Sequence, residues 1–340
     1  MNHRKVEERF LVTGALGCIG AWTVRALVRE GVPVVAFDLG RNHRRLDQIM
    51  TREELAEVTF LVGDITDLTA IEVALDEHRI TNVVHLAALQ VPFCRADPPL
   101  GALVNVVGTV NVFEAVKRRL DRMAPLVYTS SMGAYSAADV NPVTGRLHEG
   151  GEAHPTTHYG VYKVANEGTA RIYALDDGLS SIGLRPMTVY GAGRDQGMTS
   201  SPTVAIAAAV LGLPFTITFG GRTLFQYAED VAGTLMAASR SSLDGAHVFN
   251  LGGHPVDIST WVEAIEAIVP DAAGLLTITP TELPFPSEID HAGLAAIGPV
   301  PVTPFLDGIH ATVEIFRGLA AEGRLVGTEQ GLAATPAGSA

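Results

Sequence analysis

Short apolar runs alternate with helical patterns through the first two-thirds of the chain. The runs at Phe10–Thr13, Val32–Phe37, Val58–Val62, Asn82–Leu86, Leu126–Thr129 and Ser181–Arg185 read as strands. Between the first two, Ile19, Thr23 and Leu27 form one stripe with Val24 and Val28 beside it. Leu103, Val106, Val110 and Phe113 repeat at the same helical spacing further on. Strand and helix in strict alternation mean βαβ units around a parallel sheet, so the pattern predicts an α/β, doubly wound architecture. After "LRPMTVYGAGR" the order loosens, with interruptions such as "LGLPF", "FGGR", "LGGHP" and "LPFPSE". A first domain over 9–190, rejoined at about 227–252, and a smaller C-terminal lobe over 191–226 and 253–325 are expected. Residues 326–340 are small and aperiodic and are expected to be disordered.

Composition narrows the classes. The 340 residues are 47% hydrophobic and 18% charged, as in a soluble globular protein. The most apolar run, "SPTVAIAAAVLGLPF", falls short of the ~20 residues that span a bilayer, so no membrane partner is expected. A formal charge of −13 opposes phosphate backbones, so no nucleic-acid partner is expected. The charged start "MNHRKVEERF" shows no secretion signal, and two cysteines, Cys18 and Cys94, make no disulfide framework. A cytoplasmic protein follows. No metal site is expected: His154 and His158 have ligand spacing, but Pro155 interrupts the segment and no third ligand stands nearby. His85 reads as a hydrogen-bonded strand histidine, and Ser130 and Ser131 lack the surroundings of a hydrolase nucleophile.

Gly14, Gly17 and Gly20 lie between the first predicted strand and its helix. Glycines there allow a tight turn, a close approach of pyrophosphate and close packing of helix on strand, while the helix N-terminus favours the negative charge. Asp38 ends the second strand, where a carboxylate would receive ribose hydroxyls and repel a 2′-phosphate. The cofactor predicted is therefore NAD. Arg41, Arg44 and Arg45 follow closely and would grip a 2′-phosphate or form a solvated basic face.

In "HYGVYKVANEG", Tyr159 and Lys163 stand four residues apart, on one face of a predicted helix. A phenol titrates near ~10, so it becomes a base near neutrality only if its pKa falls. A neighbouring ammonium and an oxidised nicotinamide would both push it down. Further motifs complete a series: "TGALGCIG", Asp38, "GDITD", "HLAA", "NVVGTVN", "YTSSMGAYS", "YGVYK", "LRPMTVYGAGR", "QYAEDVA" and "FNLGG".

In that order the motifs resemble the extended short-chain dehydrogenase/reductases, the NAD-dependent epimerase/dehydratase family. The resemblance implies a Rossmann-type domain, a substrate lobe and a homodimer through helices at roughly 97–119 and 157–175. Cofactor contacts are implied for Gly14, Gly17, Cys18, Ile19, Gly20, Asp38, Asp64, Ile65, Leu86, Ala87, Ala88, Asn105, Tyr159 and Lys163. Asn105 would steady the backbone or a relay water. Ser131 would hold the reacting oxygen, with Ser130 as fallback, Tyr159 would move its proton, and Lys163 would hold the nicotinamide ribose.

Departures from the family bear on the substrate. Met132 and Gly133 replace an acidic pair used for water elimination. Thr188 replaces a diphosphate-positioning asparagine, and Arg222 stands one position early for a nucleotide-binding arginine. A small polar substrate, a sugar, sugar acid or similar, is therefore expected near Gln90, Ser131, Thr188, Arg194 and Arg222, with Phe93 and Gln226 on bordering segments. Reversible dehydrogenation of a secondary alcohol leads. Epimerisation of a sugar or sugar nucleotide through a transient ketone is the alternative, and a non-catalytic NAD(H) sensor is a reading of another class.

Overall fold

The apolar runs become the centre of a parallel sheet. The structure, a computed structural model, describes residues 7–328 and 331–334. Its strands run β1 (Phe10–Thr13), β2 (Val34–Asp38), β3 (Val58–Val62), β4 (Asn82–His85), β5 (Leu126–Thr129), β6 (Ser181–Arg185), β7 (Thr188–Tyr190), β8 (Phe215–Ile217), β9 (Arg222–Tyr227), β10 (Ala246–Asn250), β11 (His254–Asp257) and β12 (Leu276–Ile278). Seven form a sheet in the order β10-β6-β5-β4-β1-β2-β3, every pairing parallel. β1, β4 and β6 are buried throughout, which is why they read as continuous apolar segments. The edge strand β3 leaves Thr59, Phe60 and Val62 exposed. Strand β10, half-exposed at the other edge with His247 in it, carries too little apolar signal to be read as a strand. β2 starts at Val34 rather than Val32, because Pro33 has no N–H to donate to the ladder.

Alternate residues of each strand feed two cores. Phe10, Val12, Val34 and Ala36 face Trp22, Val24 and Leu27 of the Cys18–Arg29 helix. Leu11, Val35, Phe37 and Tyr128 face Phe113 and Val116 on the opposite side. Strand order reverses between β1 and β4, so the helices that follow their carboxyl ends pack on opposite faces of the sheet. In such sheets that point opens a crevice for a ligand.

The Pro98–Lys117 helix, expected at about 97–119, winds one π-helical turn at Leu103–Val107. It is long and apolar enough to cross a membrane, although no apolar run in the sequence was expected to be. Its apolar inner face instead covers the sheet, and its Asn105 carbonyl accepts from Asn166 Nδ2 of the His158–Asp177 helix. Beyond β6, a small sheet β11-β9-β7 and the pair β12-β8 form the layer over the carboxyl edge. Tyr190, Phe225, Trp261 and Phe305 stack into its core. Of the expected disordered tail, Val326–Thr328 belong to a strand, Leu325–Thr328, that pairs antiparallel with Gly331–Ala334. Residues 329–330 and 335–340 lie outside the described residues.

Candidate active site

A cleft of about 740 Å³ opens at the β1/β4 reversal. Its floor is the glycine loop. Gly14 has φ +68°, and a Cβ there would stand 2.6 Å from Ala87 N, so loop and β4 segment meet backbone to backbone. A Cβ at position 20 would overlap Gly14 O, so the Cys18–Arg29 helix starts flush against the turn. Asp38 closes the far side: its Oδ2 accepts from Leu16 N at 2.9 Å and its Oδ1 from Gly40 N at 3.3 Å. Asp64, Ile65, Leu86, Ala87 and Ala88 line the walls with Gly17, Cys18 and Ile19. These features fit a dinucleotide: a side-chain-free cradle at a helix N-terminus, with a carboxylate at the end of β2.

Asn105 does not line this cleft. It lies behind Leu89, accepting from Leu89 N at 2.7 Å and donating to Leu89 O at 2.9 Å. It steadies the backbone of the segment whose outer face is cleft wall, a contact made inside the π-helical turn. His85 is buried neutral between Thr13 Oγ1 at 2.7 Å and Thr109 Oγ1 at 3.0 Å. Burial, with the Lys163 charge, holds it down to about 3.

Ser131, Tyr159 and Lys163 share the opposite wall. Ser131 caps the Met132–Ala134 turn, its Oγ accepting from Gly133 N at 3.0 Å. Thr157 starts the His158–Asp177 helix by accepting from Gly160 N at 3.0 Å. Gly160 is what lets this helix reach Ser131: a Cβ there would overlap Gly133 O. The Lys163 ammonium donates to Thr129 O at 2.7 Å and lies 5.4 Å from the centre of the Tyr159 ring. Burial lowers it to about 8.

The expected fall of the Tyr159 pKa is not found in the protein by itself. Burial raises it, while the nearby Ser131 hydroxyl and the Arg194 charge work against that rise. Lys163 turns its proton toward Thr129 O instead. Ser130 is removed as the fallback, because its hydroxyl donates to Glu167, a carboxylate gripped in turn by Arg185 at 2.7 and 2.8 Å. Sequence reasoning missed this Glu167–Arg185 pair, although Glu167 stands four residues beyond Lys163 on the same helical face. It also missed Thr129 O, since a backbone carbonyl leaves no trace in a residue pattern.

Two expected substrate residues do not reach the cleft. Thr188 is fully buried in the β7–β9 pairing, its hydroxyl 2.7 Å from that of Thr223. Arg222 starts β9 on the outer surface and pairs with Asp257 and Glu288. Gln226 is buried too, its amide accepting from Met187 N and donating to Leu251 O. Gln90, Phe93, Ser131 and Arg194 do line the cleft. Arg44 and Arg45 form neither a solvated face nor a free phosphate grip: both bind Asp195, and Arg45 also donates to Leu16 O at 3.0 Å. His154 binds Asp139 at 2.5 Å, and no group of three or more metal-ligating side chains occurs among the described residues.

A model of the NAD dependent epimerase/dehydratase family matches residues 10–252. The chain belongs to the NAD-dependent epimerase/dehydratase family. It is an enzyme of the extended short-chain dehydrogenase/reductase type. UDP-glucose 4-epimerase of Mycolicibacterium smegmatis is 29% identical over 327 residues, 91% of this chain and 98% of that one. The Thermus thermophilus UDP-glucose 4-epimerase in complex with NAD superposes with a TM-score of 0.76 at 27% identity, covering 91% of this chain and 99% of that one. An L-threonine dehydrogenase from Cupriavidus necator shares the fold, with a TM-score of 0.76 at 20% identity and coverage of 91% and 99%. The chain spans 61% of the length of a Sinorhizobium fredii relative to which it is 31% identical over 79% of its own residues.

Proposed function

We propose that this family member interconverts a secondary alcohol and a carbonyl on a small polar substrate such as a sugar or sugar acid. The observation that carries the reading is the convergence of Ser131, Tyr159 and Lys163 on one wall of the cleft that the glycine loop floors. Gly14, Gly17, Cys18, Ile19 and Gly20 would hold the pyrophosphate of NAD, Asp38 the adenosine ribose, and Asp64 and Ile65 the adenine. Leu86, Ala87 and Ala88 would flank the ribose and nicotinamide, with Asn105 fixing the Leu89 backbone behind them. Bound there, NAD supplies the acceptor or donor of hydride.

Tyr159 takes the proton of the substrate hydroxyl in the oxidative direction and returns it in reduction. Ser131, fixed by the Gly133 amide, holds the reacting oxygen as it changes between alcohol and carbonyl. Lys163, anchored on Thr129 O, keeps a cationic donor beside the phenol and the ribose. Because burial raises the phenol, the positive nicotinamide of bound NAD would favour its action as a base. Proton abstraction is thereby coupled to a filled site. The small substrate is supported by Thr188 and Arg222 lying outside the cleft, which removes two anchors for a nucleoside diphosphate.

Epimerisation is the second reading, favoured by the near-full-length similarity to the M. smegmatis enzyme. The two differ in whether the product is a carbonyl compound or the inverted alcohol. Assaying NAD and NADH released from freshly purified, denatured protein separates them. Near-stoichiometric retained nicotinamide supports epimerisation, and protein that binds added NAD reversibly supports dehydrogenation. Tyr159→Phe tests the shared chemistry: turnover is expected to drop by ~100-fold or more with NAD binding retained. Unchanged turnover would sink both readings.

A further inference from the structure

Two polar side chains in the cleft lack partners that account for them. Arg194, in the "GAGRDQG" segment after β7, donates through one terminal nitrogen to Thr199 Oγ1 at 3.0 Å. Its Nε is buried without a hydrogen-bond partner. The carboxylate next in sequence, Asp195, is bound by Arg44 and Arg45 instead, and no ion pair reaches Arg194 among the described residues. Gln90 Oε1 is likewise buried and unpartnered. The two side chains meet at Gly197, which has φ +98°: a Cβ there would overlap Gln90 Oε1 and stand 3.4 Å from Arg194 Nη2.

The guanidinium lines the same cleft as the glycine-loop helix and Tyr159. Its charge acts on the Cys18 thiol, at the first turn of the glycine-loop helix, and on the Tyr159 phenol. Burial holds its own pKa below the ordinary arginine value. A half-buried cation whose Nε is cut off from water and whose only hydrogen-bond partner among the described residues is one hydroxyl is costly. An arriving anion would repay that cost, and a planar fork of donors suits carboxylate or phosphate oxygens.

We propose that Arg194 and Gln90 form a subsite for an anionic oxygen group, a carboxylate or phosphate, with Arg194 binding the anion and Gln90 Oε1 accepting from a neighbouring hydroxyl. The anion has two sources: an acid group on the substrate, or the pyrophosphate of the cofactor. The first rests on the function proposed above, and makes the substrate a hydroxy acid rather than a neutral polyol. The second does not depend on the substrate.

The test compares the whole chain with Arg194→Gln and Arg194→Lys in two calorimetric titrations. In the first, NAD is titrated alone. A dissociation constant raised by about 10-fold or more in Arg194→Gln identifies the pyrophosphate as the anion. In the second, NAD-saturated protein receives glucuronate, malonate or inorganic phosphate, with glucose as the neutral control. Uptake of an anion but not of glucose, lost in Arg194→Gln, identifies a substrate acid group.

Arg194→Lys keeps the charge without the fork and is expected to weaken the same arm by about threefold or more. It carries the test if Arg194→Gln does not fold. The proposal is overturned if NAD binds equally to wild type and variants and no anion shows Arg194-dependent uptake, including the case in which wild type takes up none. Tyr159→Phe should bind NAD and anions normally, so failure of the catalytic reading and failure of this one appear in different variants.

Discussion

Burial shifts the protonation of Lys163 toward neutrality. Buried at 4% exposure with a carbonyl as its hydrogen-bond partner, it is held at about 8 rather than at the ordinary 10.5. Between those values the unfolded chain binds more protons than the folded one. The contribution of this group to stability therefore rises with pH across about 8 to 10.5 and is lowest below pH 8, where holding the charge costs roughly 3 kcal/mol. Urea unfolding at pH 7 and pH 9.5 checks this against Lys163→Met. The difference should move by about 2 kcal/mol in favour of wild type at the higher pH. The loss of the Thr129 contact in the variant is the same at both pH values and cancels. Parallel pH profiles would mean that Lys163 keeps an ordinary ammonium. The same residue shows why an amino acid's type and its behaviour differ: spacing puts Lys163 one turn from Tyr159, but the depth of the cleft sets its pKa.

At the scale of elements, close backbone packing does the positioning. The Cys18–Arg29 helix meets the turn at Gly20, where a Cβ would overlap Gly14 O and stand 2.7 Å from Ala15 Cα. Backbone atoms on both sides cannot swing aside as a side chain can. Gly20→Ala is therefore expected to destabilise by roughly 1–3 kcal/mol and to weaken NAD binding by ~10-fold or more, read by thermal unfolding and NAD titration. Gly318, exposed in the Phe305–Ala321 helix with nothing within 4 Å of its missing Cβ, supplies the contrast. Gly318→Ala should stabilise by about 0.5–1 kcal/mol through helix propensity and leave NAD binding untouched. If both glycines respond alike, close packing at the turn does not explain Gly20.

At the scale of the whole molecule, two neighbouring helices leave apolar side chains uncovered. Val107 on the Pro98–Lys117 helix is 45% exposed and Val161, Ile172 and Leu175 on the His158–Asp177 helix 48–71%, while Leu100 and Leu103 border the cleft. Val161, Ile172 and Leu175 stand 11 and 3 residues apart, on one helical face, and the homodimer expected from the family resemblance would cover it together with Val107. Sedimentation should give twice the monomer mass for wild type and a folded monomer for Val107→Glu with Ile172→Lys; monomeric wild type would refute the dimer. The sequence by itself determined what short-range spacing controls. Glycines between strand and helix, a carboxylate at the end of β2, and Tyr159 four residues before Lys163 are consequences of strand and helix periodicity, so the doubly wound fold and most of the cleft wall were legible in it. Only the tertiary structure decided contacts made across long separations: Ser130 spent on Glu167 while Ser131 shares the cleft wall with Tyr159, Arg45 captured by Asp195 150 residues away, Thr188 closed into β9, Arg222 turned outward. It also decided the direction of the Tyr159 shift, because desolvation depends on everything the folded chain packs around a group and not on the residues beside it in sequence.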